Sequence, residues 1–223
     1  MSFRELLHEK TGIDTSLLPS SYQIIGDVLL LKLLKIESNS QRKKIASTIM
    51  EIFPRIKTVC EIKGIKGELR KPIIKKLAGN GFVTIHKEHN ILYKLDVSKI
   101  MFSKGNLYER QRLLNQVKNN ETVLDMFAGI GYFSLSTAKR AKKVYAIEKN
   151  KTAFKYLKEN IKLNKIKNIV AINDDCRNFV TGEKIDRIIM GYFPYTERFL
   201  PYAMSVINNG IIHYHNSAKT EKV

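Results

Sequence analysis

The hydrophobic positions of the chain follow one pattern before residue 100 and another after it. In the first part, short β-branched runs predict strands. These runs span residues 27–36, 57–62, 82–86 and 91–95. Between the first two, apolar side chains recur on one face of residues 41–53 and predict a helix that Pro54 ends. We therefore expect a small α+β domain over residues 1–98.

After residue 100, apolar runs typical of buried strands alternate with amphipathic stretches. The predicted strands span residues 122–127, 143–148, 169–174, 186–191 and 210–215. The predicted helices span residues 106–114, 132–140 and 152–163. Alternation of this kind with short loops indicates a parallel, doubly wound sheet with helices on both faces. We therefore expect an α/β, Rossmann-like domain over residues 99–223.

The chain ends soon after the last predicted strand. Residues 217–223 form a short polar segment. A complete sheet of this type normally continues with a further helix and an antiparallel strand pair. C-terminal elements of the domain are therefore expected to be missing.

Two polar segments carry more specific predictions. Asn106 stands where it can cap the helix that follows, and Glu109 is in the position that completes a capping box. Residues 63–71 combine Lys, Arg and two glycines, and they predict a flexible basic loop. Contact with an RNA backbone is one use for such a loop, and a solvated surface loop is the more common one.

The charge balance bears on which kind of partner the protein binds. Lys and Arg number 39 against 21 Asp and Glu, which leaves a net charge of +18. A surplus of this size favours a polyanion such as nucleic acid, because neutralised phosphates release condensed counterions. A generally Lys-rich surface is the alternative, and charge alone leaves the two equally open.

Composition also argues against several classes. No apolar run approaches the roughly 18 residues of a membrane-spanning helix, so no membrane partner is expected. The two cysteines argue against a disulfide framework, and a cytoplasmic location is expected. His86 and His89 share a polar turn without companion cysteines, so no metal site is expected there.

The candidate chemistry begins with the loop Asp125-Met126-Phe127-Ala128-Gly129-Ile130-Gly131, which follows a predicted buried strand. Its two glycines allow positive φ and a close approach of the backbone to a ligand, and ligands of such folds lie at the carboxyl ends of the strands. A pyrophosphate site would need a third glycine. The acid Asp125 would repel a diphosphate but attract an amino group or a sulfonium. The loop therefore favours S-adenosylmethionine (SAM) over a dinucleotide.

Two further acids are expected at the ends of the next two strands. Glu148 lies 23 residues after Asp125, where a carboxylate can accept hydrogen bonds from both ribose hydroxyls. Asp175 ends the third strand, where a carboxylate can accept a hydrogen bond from an adenine amino group, with the backbone of Cys176 beside it. Each acid alone is a weak signal. Three in register after a glycine loop indicate an adenosine-type ligand.

An aromatic segment, Tyr192-Phe193-Pro194, follows the fourth predicted strand. Aromatic side chains at this edge could stack on a target base, which is common in RNA recognition. A hydrophobic turn explains the same residues equally well, so both interpretations stay open. His213 and His215 share one face of the last predicted strand, which places them near the ligand site or against a helix.

At these residues the chain resembles the tRNA guanosine-37 N1-methyltransferase family and its relative, the aminocarboxypropyl transferases of wybutosine synthesis. The resemblance covers about residues 17–216. It is carried by residues 102–110, 125–131, 148–150, 173–177 and 210–215. Both families modify the nucleoside beside the anticodon with SAM. The resemblance therefore implies tRNA as the partner, contacted at position 37 of the anticodon loop.

Two departures bear on the choice between these families. The methyltransferases carry an F-S-P-R segment, whose arginine corresponds here to Gly105. They also carry N-x-P after the fourth strand, and alignment on Pro194 puts Tyr192 at the Asn position. The sequence is more similar to the aminocarboxypropyl transferases, which move the 3-amino-3-carboxypropyl group of SAM to 4-demethylwyosine and release methylthioadenosine.

The resemblance also implies site residues beyond the loop. Ser103 and Arg110 are expected near the cofactor, with Arg110 available to its carboxylate. Catalysis is expected to come mainly from positioning and desolvation, with the segment 192–194 on the side of the target base. The expected cofactor-binding set is Ser103, Arg110, Asp125, Phe127, Gly129, Gly131, Glu148, Asp175 and Cys176. A monomer is expected.

Two other hypotheses stay open. The first is a tRNA guanosine-37 N1-methyltransferase, which should not tolerate Gly105 and Tyr192. The second is a non-catalytic RNA-binding protein with a SAM fold. Such a protein has no reason to keep all three acids, Asp125, Glu148 and Asp175.

Overall fold

The computed structural model describes residues 1–103, 106–193 and 195–216. The chain divides into two compact units. The first comprises residues 1–88 and 94–102, and the second comprises residues 89–93 and 103–223. The expected domain boundary at residues 98 and 99 stays a prediction.

The first unit is built on a mixed four-stranded sheet. Its strands, in spatial order, are β1 (Tyr22–Ile25), β2 (Val28–Leu31), β3 (Thr58–Lys66) and β4 (Lys71–Gly79). The outer pairs are antiparallel, whereas β2 and β3 are parallel. A parallel pair needs a crossover, which α2 (Asn39–Ile52) supplies.

The helices of this unit pack on the sheet in one core. α2 buries Ile45 and Ile49, as its apolar spacing predicts, and the sheet contributes Leu29 and Val59. A further helix, α1 (Phe3–Thr11), adds Leu7 to this core and was not predicted. Its capping box, in which Ser2 and Glu5 each bond to the other's backbone N–H, is a sequence signal that could have revealed it.

Residues 63–71 are not the loop that their composition predicts. Most of them belong to the long antiparallel pair β3–β4, and only the turn at 67–70 lies between the strands. The prediction is wrong because pairing across the hairpin overrides the low strand propensity of Lys and Gly. The hairpin exposes several basic side chains, which are Lys63, Lys66, Lys71, Lys75 and Lys76.

Two other strand predictions have different outcomes. The strand predicted at 27–36 is wrong in length, because β2 ends at Leu31 and a turn at Gly26 joins it to β1. The predicted hairpin is confirmed by β5 (Val83–Glu88) and β6 (Ile91–Asp96), which form a two-stranded sheet. His89 and Asn90 between them both have positive φ, as a two-residue hairpin turn of type I′ requires.

The second unit contains the predicted parallel sheet, which confirms the α/β fold class. Its strands are β7 (Thr122–Asp125), β8 (Lys143–Ile147), β9 (Ile169–Ile172), β10 (Ile185–Met190) and β11 (Ile207–Tyr214). They lie in the order β11-β10-β7-β8-β9, and each neighbouring pair is parallel. The helices are α3 (Leu107–Gln116), α4 (Ser134–Thr137), α5 (Lys151–Leu163) and α6 (Leu200–Val206).

Both faces of this sheet are buried. Val123 of β7 packs in a cluster with Leu113 of α3, whereas the next residue, Leu124, packs in a cluster with Ala203 of α6. Leu157 of α5 belongs to a third cluster. Burial on both faces explains why these strands are continuous apolar runs rather than alternating ones.

The strand order reverses at β7. From β7 the chain continues outward through β8 and β9, and it then returns to the other side with β10 and β11. The carboxyl ends of β7 and β10 therefore border the crevice in which ligands of open α/β sheets bind.

The helices of this unit differ in part from their predictions. The helix predicted at 152–163 is confirmed by α5, but the one predicted at 132–140 is the single turn α4, and α6 was not predicted. Asn106 makes no side-chain hydrogen bond as the N-cap of α3, so the predicted capping box is wrong. Glu109 instead binds Arg112 and His215. No helix in the described ranges is long and apolar enough to cross a membrane.

Candidate nucleoside site at the carboxyl end of the parallel sheet

The loop after β7 takes a shape that favours glycine at two positions. Gly129 and Gly131 have φ of 58° and 100°, which side chains disfavour. A Cβ on Gly129 would lie 2.6 Å from the Tyr132 ring, and one on Gly131 would lie 2.6 Å from Leu135 Cγ. From the sequence, these glycines are expected to let the backbone approach a ligand closely. The structure adds a second reason for both glycines, which is the packing of the loop against the chain that follows it.

Asp125 is completely buried beneath this loop. Its carboxylate accepts hydrogen bonds from Ser134 Oγ at 2.6 Å and from the Phe127 backbone N–H at 3.3 Å. Burial raises the pKa of the carboxyl to about 6, and these hydrogen bonds oppose the rise. Ser134, which the sequence argument missed, thus ties the end of β7 to α4. At neutral pH the arrangement fixes a negative charge under the loop.

Glu148 connects the loops that follow β7 and β8. Its Oε2 accepts a hydrogen bond from the Gly129 N–H at 2.7 Å, and its Oε1 accepts one from the Asn150 N–H at 2.6 Å. Burial raises the pKa of Glu148, and the two backbone donors lower it in part. A carboxylate has about four acceptor positions, so both oxygens keep capacity for the hydroxyls of a ribose.

Asp175 follows β9 in a different environment. Arg177 donates to its carboxylate from Nε at 2.9 Å and from a terminal nitrogen at 2.8 Å, and Lys149 donates at 3.1 Å. These contacts, with Arg177 first, hold the pKa of Asp175 well below its usual range. The carboxylate also accepts the Arg177 N–H and so begins a short 3-10 helix over Cys176–Asn178.

Cys176, the first residue of this turn, is buried in the core cluster that contains Leu124 and Ile188. Burial first, and then the charge of Asp175, raise its pKa to about 12. The thiolate that nucleophilic chemistry requires is therefore rare at neutral pH. A backbone contact from Cys176 to a nucleoside stays a prediction.

An aromatic cluster joins the ends of β7 and β10. Phe127 and Tyr192 are stacked with ring centroids 5.0 Å apart, and Phe199 meets them edge-on at 4.9 and 6.0 Å. The guanidinium of Arg177 lies 5.1 Å from the centre of the Phe199 ring. Phe193 is exposed, and Pro194 lies outside the described residues. The structure thus brings together two of the expected site residues and adds Phe199 and Arg177, which the sequence argument missed.

Arg110 and Ser103 are brought together at the start of α3. The guanidinium of Arg110 is buried and donates to the Ser103 carbonyl oxygen at 3.4 and 3.5 Å. Burial raises the pKa of Tyr132, the Glu148 charge raises it further, and the Arg110 charge lowers it. Arg110 and Glu148 therefore lie within electrostatic reach of the same ring. Gly105 lies outside the described residues.

A buried charged network beside α3 was also missed. Arg187 donates to both oxygens of Glu121, at 2.7 and 2.9 Å, and contacts Nε2 of His213 at 2.6 Å. Arg112 contacts the other ring nitrogen of His213 at 3.2 Å. Burial first, and then these two arginines, lower the pKa of His213 to about 4. His213 therefore packs against α3 as a neutral ring at neutral pH.

The described residues contain no group of three or more His, Cys, Asp or Glu that could hold a metal ion. His86, considered in the sequence for a metal, accepts a hydrogen bond at its Nδ1 from the Gly26 N–H at 3.2 Å, and its ring lies edge-on to Phe102. Its environment is therefore explained by contacts within the first unit.

Two family profiles match almost the whole chain. The profile of the TYW2 N-terminal domain matches residues 3–82, and that of the TRM5/TYW2 methyltransferase domain matches residues 84–223. The chain belongs to the TRM5/TYW2 family. This confirms the resemblance carried by the sequence motifs.

Curated members of the TRM5/TYW2 family are similar over nearly the entire chain. The tRNA(Phe) (4-demethylwyosine(37)-C(7)) aminocarboxypropyltransferase of Pyrococcus horikoshii is 47% identical over 96% of this chain and 78% of its own. The protein of the same name from Methanocaldococcus jannaschii is 44% identical over 91% of this chain and 80% of its own. The tRNA (guanine(37)-N(1))-methyltransferase Trm5b of Pyrococcus abyssi is 40% identical over 96% of this chain, which spans 64% of its length.

Two solved structures from the TRM5/TYW2 family have the same fold. The structure of Pyrococcus horikoshii TYW2 in complex with MeSAdo has a TM-score of 0.80 and 41% identity, and it covers 95% of this chain and 79% of its own. The complex of aTrm5 and tRNALeu has a TM-score of 0.86 and 37% identity, and it covers 96% of this chain and 65% of its own.

Proposed function

We propose that this protein transfers the 3-amino-3-carboxypropyl group of SAM to 4-demethylwyosine at position 37 of tRNA-Phe and that methylthioadenosine is released. The observation that carries this proposal is the 47% and 44% identity, over nearly the whole chain, to two curated relatives with that activity. The residues at the crevice suit the donor, because carboxylates end the strands where a nucleoside would lie.

The residues present fit an adenosine-bearing donor. Glu148 is held by backbone donors and can accept from the ribose hydroxyls. Asp175 and the backbone of Cys176 are assigned to the adenine, and the loop with Gly129 and Gly131 passes beneath. Phe127, next to the stacked ring of Tyr192, offers an apolar wall.

The reaction places further demands on the chain. When bound, SAM supplies an electrophilic Cγ carbon that is activated by the neighbouring sulfonium. Arg110 is assigned to the carboxylate of the transferred arm, with Ser103 beside it. The base-side candidates Tyr192, Phe193 and Pro194 would orient the target ring and exclude water. Catalysis then comes from positioning and desolvation rather than from a nucleophile of the protein.

The partner is tRNA, and we assign the anticodon loop around position 37 as the part that is read. The net charge of +18 suits a polyanion, and the β3–β4 hairpin exposes five lysines. Replacement of Lys63, Lys66, Lys71 and Lys75 by Gln should weaken tRNA binding and flatten its salt dependence, because fewer counterions are released. Methylthioadenosine binding should not change.

The protein is further proposed to act as a monomer in the cytoplasm. Both of its cysteines are free and buried, which suits a reducing compartment. Light scattering of the purified protein, alone and with tRNA, tests the oligomeric state. A mass of two chains in the active complex would contradict the monomer.

The deciding experiment follows two labels of SAM. The protein is incubated with tRNA-Phe that carries 4-demethylwyosine and with SAM labelled in either the methyl or the carboxyl carbon. We expect the carboxyl label in the tRNA and the methyl label in methylthioadenosine. Methyl label in the tRNA with release of S-adenosylhomocysteine would reject the proposal. Glu148→Gln should lose activity, whereas Glu183→Gln, in an exposed ion pair with Lys143, is the matched control.

A guanosine-37 N1-methyltransferase is the second candidate, and the 40% identity to Trm5b favours it. It would act on tRNA with unmodified guanosine at position 37. The same assay with that substrate separates the two, because this activity would place the methyl label on guanosine. The tyrosine at position 192, where the methyltransferases carry Asn, argues against it.

A further inference from the structure

His215 contacts three elements of the second unit. Its Nε2 lies 2.8 Å from Glu109 Oε1 on α3, and its Nδ1 lies 3.3 Å from the Met190 carbonyl oxygen at the end of β10. Its ring stacks on Phe133, just after the glycine loop, at 5.3 Å and an interplanar angle of 9°. One side chain therefore connects α3, β10 and the loop that follows β7.

The partners of His215 determine which atoms donate and which accept in these contacts. Both ring nitrogens of His215 face acceptors, so both contacts are hydrogen bonds only when each nitrogen carries a hydrogen. Glu109 also accepts two hydrogen bonds from Arg112, at 2.7 and 2.6 Å. Arg112 first, and then His215, lower the pKa of Glu109 to about 2. Glu109 is therefore a fixed carboxylate between donors on two elements.

Arg110 is the next residue of α3. It is buried, and its guanidinium is directed to the Ser103 carbonyl oxygen. Because neighbouring residues of one helix move together, a contact that fixes Glu109 also fixes the backbone from which the Arg110 side chain extends.

We propose that Glu109 and His215 are positioning residues that, through Arg110, hold the aminocarboxypropyl arm of SAM in the orientation for transfer. This inference rests on the proposed function, in which Arg110 holds the carboxylate of that arm. Neither residue is assigned a contact with the donor or the base.

The orientation of the arm determines which carbon of SAM is transferred. A sulfonium activates all three carbons bound to it, and the carbon that faces the nucleophile is the one transferred. When the arm is held, the base carbon forms a bond to Cγ, the Cγ–sulfur bond breaks with its electron pair on sulfur, and the base carbon then loses its proton to solvent. When the arm is loose, the methyl carbon competes for the same position.

The test compares ligands with and without the arm. Glu109→Gln and His215→Ala are measured by calorimetry against SAM, S-adenosylhomocysteine and methylthioadenosine. We expect the first two ligands to bind about tenfold more weakly, since hydrogen bonds to charged groups are lost. Methylthioadenosine lacks the arm, so the affinity of both variants for it should stay within about twofold of the wild-type value. Retained binding of this ligand would also show that the variants fold.

Three further measurements separate positioning from a general structural role. His215→Gln can still reach Glu109 and should recover most of the affinity for SAM. In an Arg110→Gln background, Glu109→Gln should have no further effect on SAM affinity, because both act through the same contact. In the tRNA assay, Glu109→Gln should raise the ratio of S-adenosylhomocysteine to methylthioadenosine.

Two results would overturn the inference: an equal loss of affinity for all three ligands, or no loss for any. Glu183→Gln is the control for a lost carboxylate elsewhere in the same unit, and it should change none of the affinities. The proposed function fails by a different result, which is transfer of the methyl group by the wild-type protein. The two failures are therefore distinguishable.

Discussion

The carboxylates at the ends of β8 and β9 lie on neighbouring strands and have opposite environments. Glu148 is held by two backbone N–H groups, and burial raises its pKa. Asp175 is held by Arg177 and Lys149, which lower its pKa. The charge of Glu148 is compensated by backbone dipoles, and that of Asp175 by the cations of exposed side chains.

The two environments differ in how much binding energy a ligand can gain from the carboxylate. Fixed backbone dipoles hold a carboxylate in place without further reorganisation, and a desolvated site strengthens each of its hydrogen bonds. Cations on exposed side chains compete with a ligand for the acceptor and are screened by salt. We therefore expect the carboxylate at the end of β8 to contribute more to ligand affinity than the carboxylate at the end of β9.

The largest effect is expected at Asp125, on the folding free energy. Its pKa is raised from 3.8 to about 6, so the folded chain binds an extra proton between these values. The associated stability is fully present below pH 3.8 and is lost as the pH rises through 6. The free energy of unfolding of wild type relative to Asp125→Asn should therefore fall by roughly 3 kcal/mol between about pH 2.5 and pH 8. Urea denaturation across this range measures it.

Asp186 provides a matched control with the opposite sign. The Thr122 N–H donates to its carboxylate at 2.9 Å and lowers its pKa. Its contribution to stability is present above pH 3.8 and is lost as the pH falls, so the wild-type advantage over Asp186→Asn should shrink in acid. Parallel pH profiles for the two variants would contradict the environment assigned to Asp125.

The next effect is expected at Glu148, on ligand affinity. Gln offers one acceptor oxygen where Glu offers two, so Glu148→Gln loses a ribose contact or a backbone contact. Affinity for SAM and for methylthioadenosine should both fall about a hundredfold, because hydrogen bonds to a charged group are worth roughly 1.5 to 3 kcal/mol each. Calorimetry with both ligands measures this. A loss confined to SAM would show that Glu148 acts on the arm and not on the ribose.

A smaller effect is expected at Asp175. Asp175→Asn keeps one acceptor oxygen for an adenine amino group, and the ion pairs that it breaks are largely exposed on the cationic side. Affinity for methylthioadenosine should fall about threefold to tenfold, and stability by less than about 1 kcal/mol. At high salt the stability difference should nearly vanish, because the pairs are screened. A larger loss of affinity than for Glu148→Gln would contradict the greater contribution expected from the end of β8.

The fold and the core of the site were largely predictable where the signal is local. The loop after β7, the helix α5 and the strand ends that carry Glu148 and Asp175 follow from hydrophobic periodicity and from the alternation of strands and helices. These features repeat within a few residues, and a parallel sheet brings its strand ends to one edge.

The missed features depend on contacts between distant residues. Glu109 has the position for a capping box, yet its partner is His215, which is 106 residues away in sequence. The hairpin β3–β4 forms through cross-strand pairing, although Lys and Gly have low strand propensity. Nothing in the sequence around Ser134 indicates its role, whereas the structure places its Oγ 2.6 Å from the Asp125 carboxylate. A single sequence contains no information on these pairings.

The smallest effect is expected at Cys176, at the end of β9 beside Asp175. Its buried thiol has a pKa of about 12, and that of the buried Cys60 is raised to about 11, so neither should react readily in the folded protein. Iodoacetamide should modify both only on unfolding, as mass spectrometry of native and urea-treated samples would show. Cys176→Ala should keep activity within about twofold, because only the backbone is assigned to the ligand. Selective alkylation of Cys176 in the native protein, with loss of methylthioadenosine binding, would show instead that the thiol lies open in the site and that the end of β9 contributes more than its neighbour.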